Sequence, residues 1–334
     1  MEHMANEPVT ILHLEIPLRR PFSTARGTIE LRSVALVRLG DDRFGWGEAA
    51  PYPGQDESMT DMLGAARAGE TTPTLKAALD EATADRQSRL SGEPLSRVIG
   101  ATMETIPVSL AVGLGDPVAV VDGAVEIGVS RFKLKIAPGH VDHVAGIRDR
   151  FPDAVLGVDA NGSFGSDTFS ELFVLGDLGI AYIEQPVADL ASTAAHRLHE
   201  IVGIPVFADE AVRSLADAQM ALALSTVDGV VVKPGRLGWS GAVAVRQLAN
   251  AAGKHWRASG LLETGIGRAY TDTLAACPDA FISDVAPAEW FLANDVTGSR
   301  FDAGSVTVPR GPGLGVEPDP DTLKGYLIER ITVS

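Results

Sequence analysis

The sequence predicts an α/β protein, a parallel (β/α) barrel of the TIM type preceded by a small α+β unit. Two observations carry this. From Val108 onward, short apolar runs recur about every 25 residues, each followed by an amphipathic stretch. Five successive runs close on Lys135, Asp159, Glu184, Asp209 and Lys233, at spacings of 24, 25, 25 and 24 residues. One strand and one helix fill such an interval, so these charged side chains share a single structural level.

The N-terminal unit comes first. Thr10–Ile16, a turn at Gly27 and Ser33–Leu39 read as two strands, with a third near Gly45–Ala49. Between Ser58 and Leu90 the composition turns to Ala, Leu, Glu and Arg, with helical spacing at Leu75, Leu79 and Ala82. Pro94 and Pro107 bracket a connector, so residues 1–105 form the α+β unit. Strand candidates then follow at Val108–Val112, Arg131–Ile136, Ala154–Asp159, Ile180–Glu184, Pro205–Asp209, Gly229–Lys233, His255–Ser259 and Phe281–Asp284. Segments such as Ala191–Val202 and Leu215–Leu224 supply the helices between them. Eight parallel strands predict a closed barrel over residues 106–304. An open doubly wound sheet is disfavoured, because no Gly-x-Gly-x-x-Gly follows a first strand. The Gly- and Pro-rich run Ser305–Gly315 opens a segment, 305–334, expected to pack back on the N-terminal unit.

Composition narrows the function. A chain of 334 residues can bury a large core, and 45% hydrophobic with 22% charged residues is ordinary for a globular protein. Its net charge of −16, from 28 basic and 44 acidic residues, repels phosphate backbones and anionic lipid. A small molecule is therefore the expected partner, not nucleic acid or a membrane. No apolar stretch approaches the roughly 20 residues of a membrane span. The first residues, Met1, Glu2, His3 and Met4, lack a basic segment followed by an apolar one, so no signal peptide is expected. They are read as a start-site remnant. The single cysteine, Cys277, excludes an internal disulfide and fits a reducing cytoplasm.

Functional groups of such barrels sit at the C-terminal ends of strands. Asp159, Glu184 and Asp209 end three successive strands, so their carboxylates converge. They cannot all stay ionised without a cation. Oxygen ligands without a nearby His or Cys suit Mg²⁺, or Mn²⁺, better than Zn²⁺. Lys133 and Lys135, two apart on one strand, face the same way. Two ammonium groups this close are expected to depress each other's pKa, as a lysine base near neutral pH requires. Lys233 ends a strand four positions further round, across the barrel mouth. A carboxylate substrate on the metal would have its α-proton acidified, giving an enediolate.

These motifs resemble a known family. Lys133-x-Lys135, Asp159-x-Asn161, Glu184-Gln185-Pro186, Asp209-Glu210 and Lys233-Pro234 are similar to the muconate-lactonizing subgroup of the enolase superfamily. Leu262-Glu263-Thr264-Gly265-Ile266-Gly267-Arg268 looks more narrowly like o-succinylbenzoate synthases, including those that also racemise N-acylamino acids. Gly45-Trp46-Gly47-Glu48 and Pro21-Phe22 resemble the capping domain. The resemblance implies a modified (β/α)7β barrel and a Mg²⁺-dependent lyase. Its reaction would be the syn dehydration of 2-succinyl-6-hydroxy-2,4-cyclohexadiene-1-carboxylate, a step toward menaquinone. Lys135 would take the proton and return it to the departing hydroxide. Lys233 would cover the opposite face, and Lys133 would help hold the substrate carboxylate. Asn161 and Glu210 would fix the metal ligands. The loop Ser23–Gly27 resembles a mobile lid, with Arg26 as an anion contact, and Ser259 stands where related enzymes shape the substrate pocket. A mandelate-racemase-like enzyme would carry His at Ser259, and a dipeptide epimerase would not read Asp284-Val285-Ala286.

Other readings use the same residues. A racemase or epimerase would use Lys135 and Lys233 as opposed bases. A Schiff-base aldolase on this fold would use Lys133 or Lys233 as nucleophile, and would leave the three carboxylates without a role. Arg236, three residues past Lys233, is expected either to perturb that lysine or to form a plain salt bridge. The pairs His140/His143 and His196/His199 fall beyond their strands and are read as surface residues. Gly235-x-x-Gly238-x-x-Gly241 is read as a turn from strand to helix, and Cys277 as an inert buried thiol.

Overall fold

The computed structural model describes residues 7–333, so Met1–Met4 lie outside the described residues. Strands β1 (Val9–Thr24), β2 (Gly27–Leu39) and β3 (Gly45–Ala49) precede helices α1 (Met59–Arg67), α2 (Pro73–Ser91) and α3 (Leu95–Val98) and strand β4 (Thr105–Pro107). The helical stretch expected over Ser58–Leu90 is two helices. Gly69 turns the chain at φ +72°, and Thr72 starts the second helix by accepting the Leu75 N–H ahead of Pro73.

The barrel strands are β5 (Ser109–Val112), β6 (Arg131–Lys135), β7 (Val155–Asp159), β8 (Ile183–Glu184), β9 (Val206–Ala208), β10 (Gly229–Val232) and β11 (His255–Ala258). They pair in parallel, in sequence order. Seven of the eight expected strands are thus present, shortened at their ends. The eighth, Phe281–Asp284, is irregular. It still bridges the two edges of the sheet: Phe281 N donates to Trp256 O at 2.9 Å and Asp284 N to Ala258 O at 2.8 Å, while Ser109 N donates to Val285 O at 2.9 Å. The ladder breaks because Ser283 Oγ takes the Ala258 N–H at 2.9 Å, a donor that a regular strand would pair with a carbonyl. Among the described residues no helix is long and apolar enough to cross a membrane.

The N-terminal strands form a capping sheet of order β12-β1-β2-β3, where β12 (Leu327–Val333) is antiparallel to β1. Period-two alternation gives this sheet two apolar faces. Leu12, Leu14, Val34 and Leu36 join the core shared with the barrel, while Ile11, Ala35 and Val37 pack under Met62, Leu63 and Leu75.

Strand β3 is the sheet edge that meets the barrel, and its outward N–H groups need partners. Helix α2 provides them from side chains one turn apart: Trp46 N donates to Asp85 Oδ2 at 2.8 Å and Glu48 N to Glu81 Oε2 at 3.0 Å. Four helical residues rise about 6 Å, close to two strand residues, so the two spacings match. Glycine is required for this approach, since a Cβ on Gly47 would lie 2.0 Å from Ala78 O. The Glu48 side chain then crosses to the barrel. It accepts Thr264 N at 2.8 Å, Thr264 Oγ1 at 2.6 Å and Gly267 N at 2.8 Å, so a capping-sheet carboxylate caps helix α4 (Gly265–Ala275).

Burial outweighs those three bonds and pushes the Glu48 carboxyl up from 4.5 to about 7. A raised carboxyl pKa means the folded chain holds a proton that the unfolded chain has released. Its stabilising contribution is full below pH 4.5 and is lost as pH rises through about 7. Glu48→Gln is expected to flatten this limb, which is on the order of 3 kcal/mol, in urea unfolding at about pH 5 and about pH 8. An unchanged slope in the variant would assign the pH dependence to other groups.

Candidate active site

Parallel register explains why the charged side chains meet. Lys135 is paired with Asp159 across β6–β7, and Asp159 with Glu184 across β7–β8. Asp209 follows one residue after β9. Carboxylate oxygens of Asp159, Glu184 and Asp209 lie within 4.8 Å of one another, and all three residues are buried. With Asp284, four buried carboxylates face four buried cations: Lys133, Lys135, Lys233 and Arg257. Lys133 Nζ donates to Glu184 Oε2 at 2.7 Å and pairs with Asp284. Lys135 Nζ donates to Asp159 Oδ2 at 2.6 Å, and Lys233 Nζ to Asp209 Oδ2 at 2.7 Å. One pocket is lined by all three lysines together with Asp159 and Asn161. Phe22, Tyr52 and Phe291 supply its apolar wall.

The electrostatics differ from the sequence expectation at Lys133. Burial pulls its ammonium down, but the Asp284 and Asp159 carboxylates outweigh burial and carry it well above the usual lysine range. Mutual depression of Lys133 and Lys135 is therefore not what governs Lys133; its carboxylate partners do. Lys233 is lowered, chiefly by burial and against the pull of Asp209. Burial alone would raise Asp159, yet Lys135 and Lys133 hold it well below the carboxylate range. Asp284 is likewise drawn down to about 2, burial being overcome by Arg257 and Lys133.

Asn161 and Glu210 flank the triad. Asn161 Oδ1 accepts Lys135 Nζ at 3.0 Å, and Asn161 Nδ2 donates to Glu210 Oε1 at 2.9 Å. Arg236 reaches several groups at once: Nη2 donates to Gln55 Oε1 at 2.8 Å, and Nη1 lies 3.7 Å from Asp209 Oδ1. It is also one of the charges that lower Lys233, so both sequence expectations for Arg236 have a counterpart. Ser259 lines the pocket, but its hydroxyl donates to Asp284 Oδ2 at 2.8 Å. Arg26 is placed differently from a substrate contact. Its guanidinium lies on Glu210 and Asn161 O, outside the residues that line the pocket.

Several groups escaped the sequence reading. Arg257, on β11, ties the site's floor together by pairing with Glu184 and Asp284 and stacking 3.9 Å from the Tyr182 ring. An arginine inside a short apolar run was the available signal. Asp284 continues the ladder 25 residues past Ser259, a spacing that marked it in advance. Gln185 Oε1 accepts Asp209 N at 3.0 Å and so fixes one carboxylate to the next strand. Asn161, Gln185 and Leu262 adopt positive φ without being glycine, the kind of backbone strain that collects at functional sites.

The model of the enolase C-terminal domain-like family matches residues 118–322. The chain belongs to the enolase superfamily. It is 31% identical to an N-succinylamino acid racemase of Amycolatopsis over 94% of this chain and 95% of that protein. It is 29% identical to an o-succinylbenzoate synthase of Geobacillus stearothermophilus, over 96% and 95% respectively. A solved enolase-superfamily member from Listeria innocua superposes with a TM-score of 0.88 at 26% identity, covering 99% of each chain.

Superfamily sites pair a lysine or histidine base with Mg²⁺, and the triad fits a hard divalent cation. Its donors are three carboxylates and no histidine. Asp209 Oδ1 is buried without a hydrogen-bond partner, as a ligand oxygen awaiting an ion would be. His143, His199 and Cys277 take no part: His199 pairs with Asp228 at 3.0 Å, and burial pushes the Cys277 thiol up to about 11. Divalent cation at about 100 times its Kd is expected to stabilise the chain by about 2.7 kcal/mol. Asp209→Asn is expected to weaken binding by at least about 10-fold in calorimetric titration. Equal affinity in the variant would place the ion elsewhere.

Proposed function

We propose that the chain is a Mg²⁺-dependent o-succinylbenzoate synthase, a carbon–oxygen lyase acting on 2-succinyl-6-hydroxy-2,4-cyclohexadiene-1-carboxylate. One observation carries the reading. Two buried lysines, Lys135 on β6 and Lys233 at the end of β10, line one pocket from opposite sides of the carboxylate triad. The two relatives above are named for N-succinylamino acids and for o-succinylbenzoate, which supports a succinylated carboxylate as the substrate class.

The chain's own groups divide the work. Lys135 in its neutral form removes the proton from the carbon that bears the carboxylate. The electron pair moves into the ring, the bond to the hydroxyl breaks, and the same Nζ returns the proton, releasing water. A cation at the triad would bind the substrate carboxylate and offset the charge that grows on it. Lys133, pinned by Glu184 and Asp284, keeps a fixed positive charge beside that carboxylate. The Lys233 ammonium faces the ring from the far side. Phe22, Tyr52 and Phe291 exclude water around it.

The second reading, N-succinylamino acid racemase, is favoured by the 31% identity to a protein of that name and uses the same two lysines as opposed bases. A Schiff-base aldolase is disfavoured, because it would leave the buried carboxylates Asp159, Glu184 and Asp209 without a role, and of its two candidate nucleophiles Lys133 is held between Glu184 and Asp284. Chelator-sensitive aromatisation of the cyclohexadiene substrate, followed by ultraviolet absorbance with Mg²⁺ or Mn²⁺, is the expected result. Absence of turnover by metal-loaded protein would move the assignment to the racemase. Lys233→Ala is expected to abolish racemisation outright, since one face then lacks a base, while Lys135→Ala stops both reactions.

A further inference from the structure

We infer that Arg26 is a positioning residue, through which the tip of the capping hairpin fixes the side chain that orients Lys135. The inference rests on the reading of Lys135 as the base.

The contacts form an unbroken line. Arg26 lies in the turn joining β1 to β2, where its own N–H donates to Thr24 Oγ1 at 3.1 Å. Its Nη2 donates to Asn161 O at 3.1 Å, across 135 residues of sequence, and its Nε lies 3.5 Å from Glu210 Oε1. The same Glu210 oxygen accepts Asn161 Nδ2 at 2.9 Å. Asn161 Oδ1 in turn accepts Lys135 Nζ at 3.0 Å.

Chemistry gives this line a direction. An amide has one donor end and one acceptor end. With a carboxylate on its amine and an ammonium on its carbonyl, Asn161 has a single favourable orientation. Reversal would set the amine against the Lys135 ammonium, donor against donor. The backbone of Asn161 is strained as well, at φ +48°, and such residues persist only where surrounding contacts over-determine them. Two contacts do this: Asn161 N donates to Asp159 Oδ1 at 2.9 Å, and Asn161 O accepts Arg26. The Arg26 side chain is 37% exposed and that of Glu210 10%, so the guanidinium covers the carboxylate from the solvent side. Arg26 thus joins the position of the capping hairpin to the geometry of the base.

The first test needs no turnover. Tryptic cleavage of the Arg26–Gly27 bond, followed by mass spectrometry on full-length protein, reports how firmly the turn is held. Glu210→Gln is expected to speed this cleavage at least about fivefold, because opening governs cleavage when reclosing is fast. An unchanged rate would overturn the latch.

The second test uses activity. Arg26→Met is expected to lower kcat about 10- to 100-fold with KM within about threefold, and Arg26→Lys to restore part of the loss. In a Glu210→Gln background, Arg26→Met is expected to add little, since both act on one line. A raised KM at unchanged kcat would make Arg26 a substrate anion contact and overturn the inference. So would additive losses in the double variant. If the wild type turns over neither substrate, the functional reading has failed, and the proteolysis result alone decides whether the latch exists.

Discussion

Four carboxylates lie buried together at the mouth of this barrel, and the rest of the molecule is arranged around that fact. Carboxylates removed from water cost several kcal/mol each unless opposite charge is buried with them. The fold meets this with cations from neighbouring strands: Lys133 and Lys135 from β6, Arg257 from β11 and Lys233 from the end of β10. Each carboxylate accepts from or pairs with at least one of them. The balance is local and dense. Removing any member leaves an uncompensated charge next to the substrate pocket, so structure and chemistry cannot be varied separately here.

That arrangement also explains why the capping sheet must be held tightly. Phe22 and Thr24 of β1, with Tyr52 and Gln55 of the loop after β3, wall the pocket from above the strand ends. The sheet is secured at two places. At the seam, Glu48 caps α4 just after the pocket-lining run Ser259–Leu262, while α2 satisfies the edge of β3. At the hairpin tip, Arg26 reaches the groups around the triad. The first contact is deeply buried and the second only partly so. Fixed attachment at one end and a lighter contact at the other suit a pocket whose cover must admit substrate.

Much was legible in the sequence because a strand-and-helix repeat is periodic and its functional groups occupy one phase of the period. Lys135, Asp159, Glu184, Asp209 and Lys233 could be read as one rim for that reason. Asp284 fell on the same ladder but was passed over as the end of a strand. The eighth strand was misread because apolar alternation at Phe281–Asp284 does not show that Ser283 intercepts a ladder hydrogen bond. Lys133 shows a different limit. Its neighbour Lys135 is visible two residues away, but the carboxylates it pairs with lie 26, 51 and 151 residues further along.

The sequence by itself determined the barrel, the identity of the three candidate metal ligands and the presence of a lysine on each side of them. Strand periodicity and side-chain alternation are local properties, and they suffice for those conclusions. Tertiary structure decided which charges neutralise which, that Glu48 serves a helix 216 residues away, and that Arg26 lies on Glu210 and not in the pocket. These depend on distances between segments remote in the chain, and coulombic and hydrogen-bond energies are set by such distances.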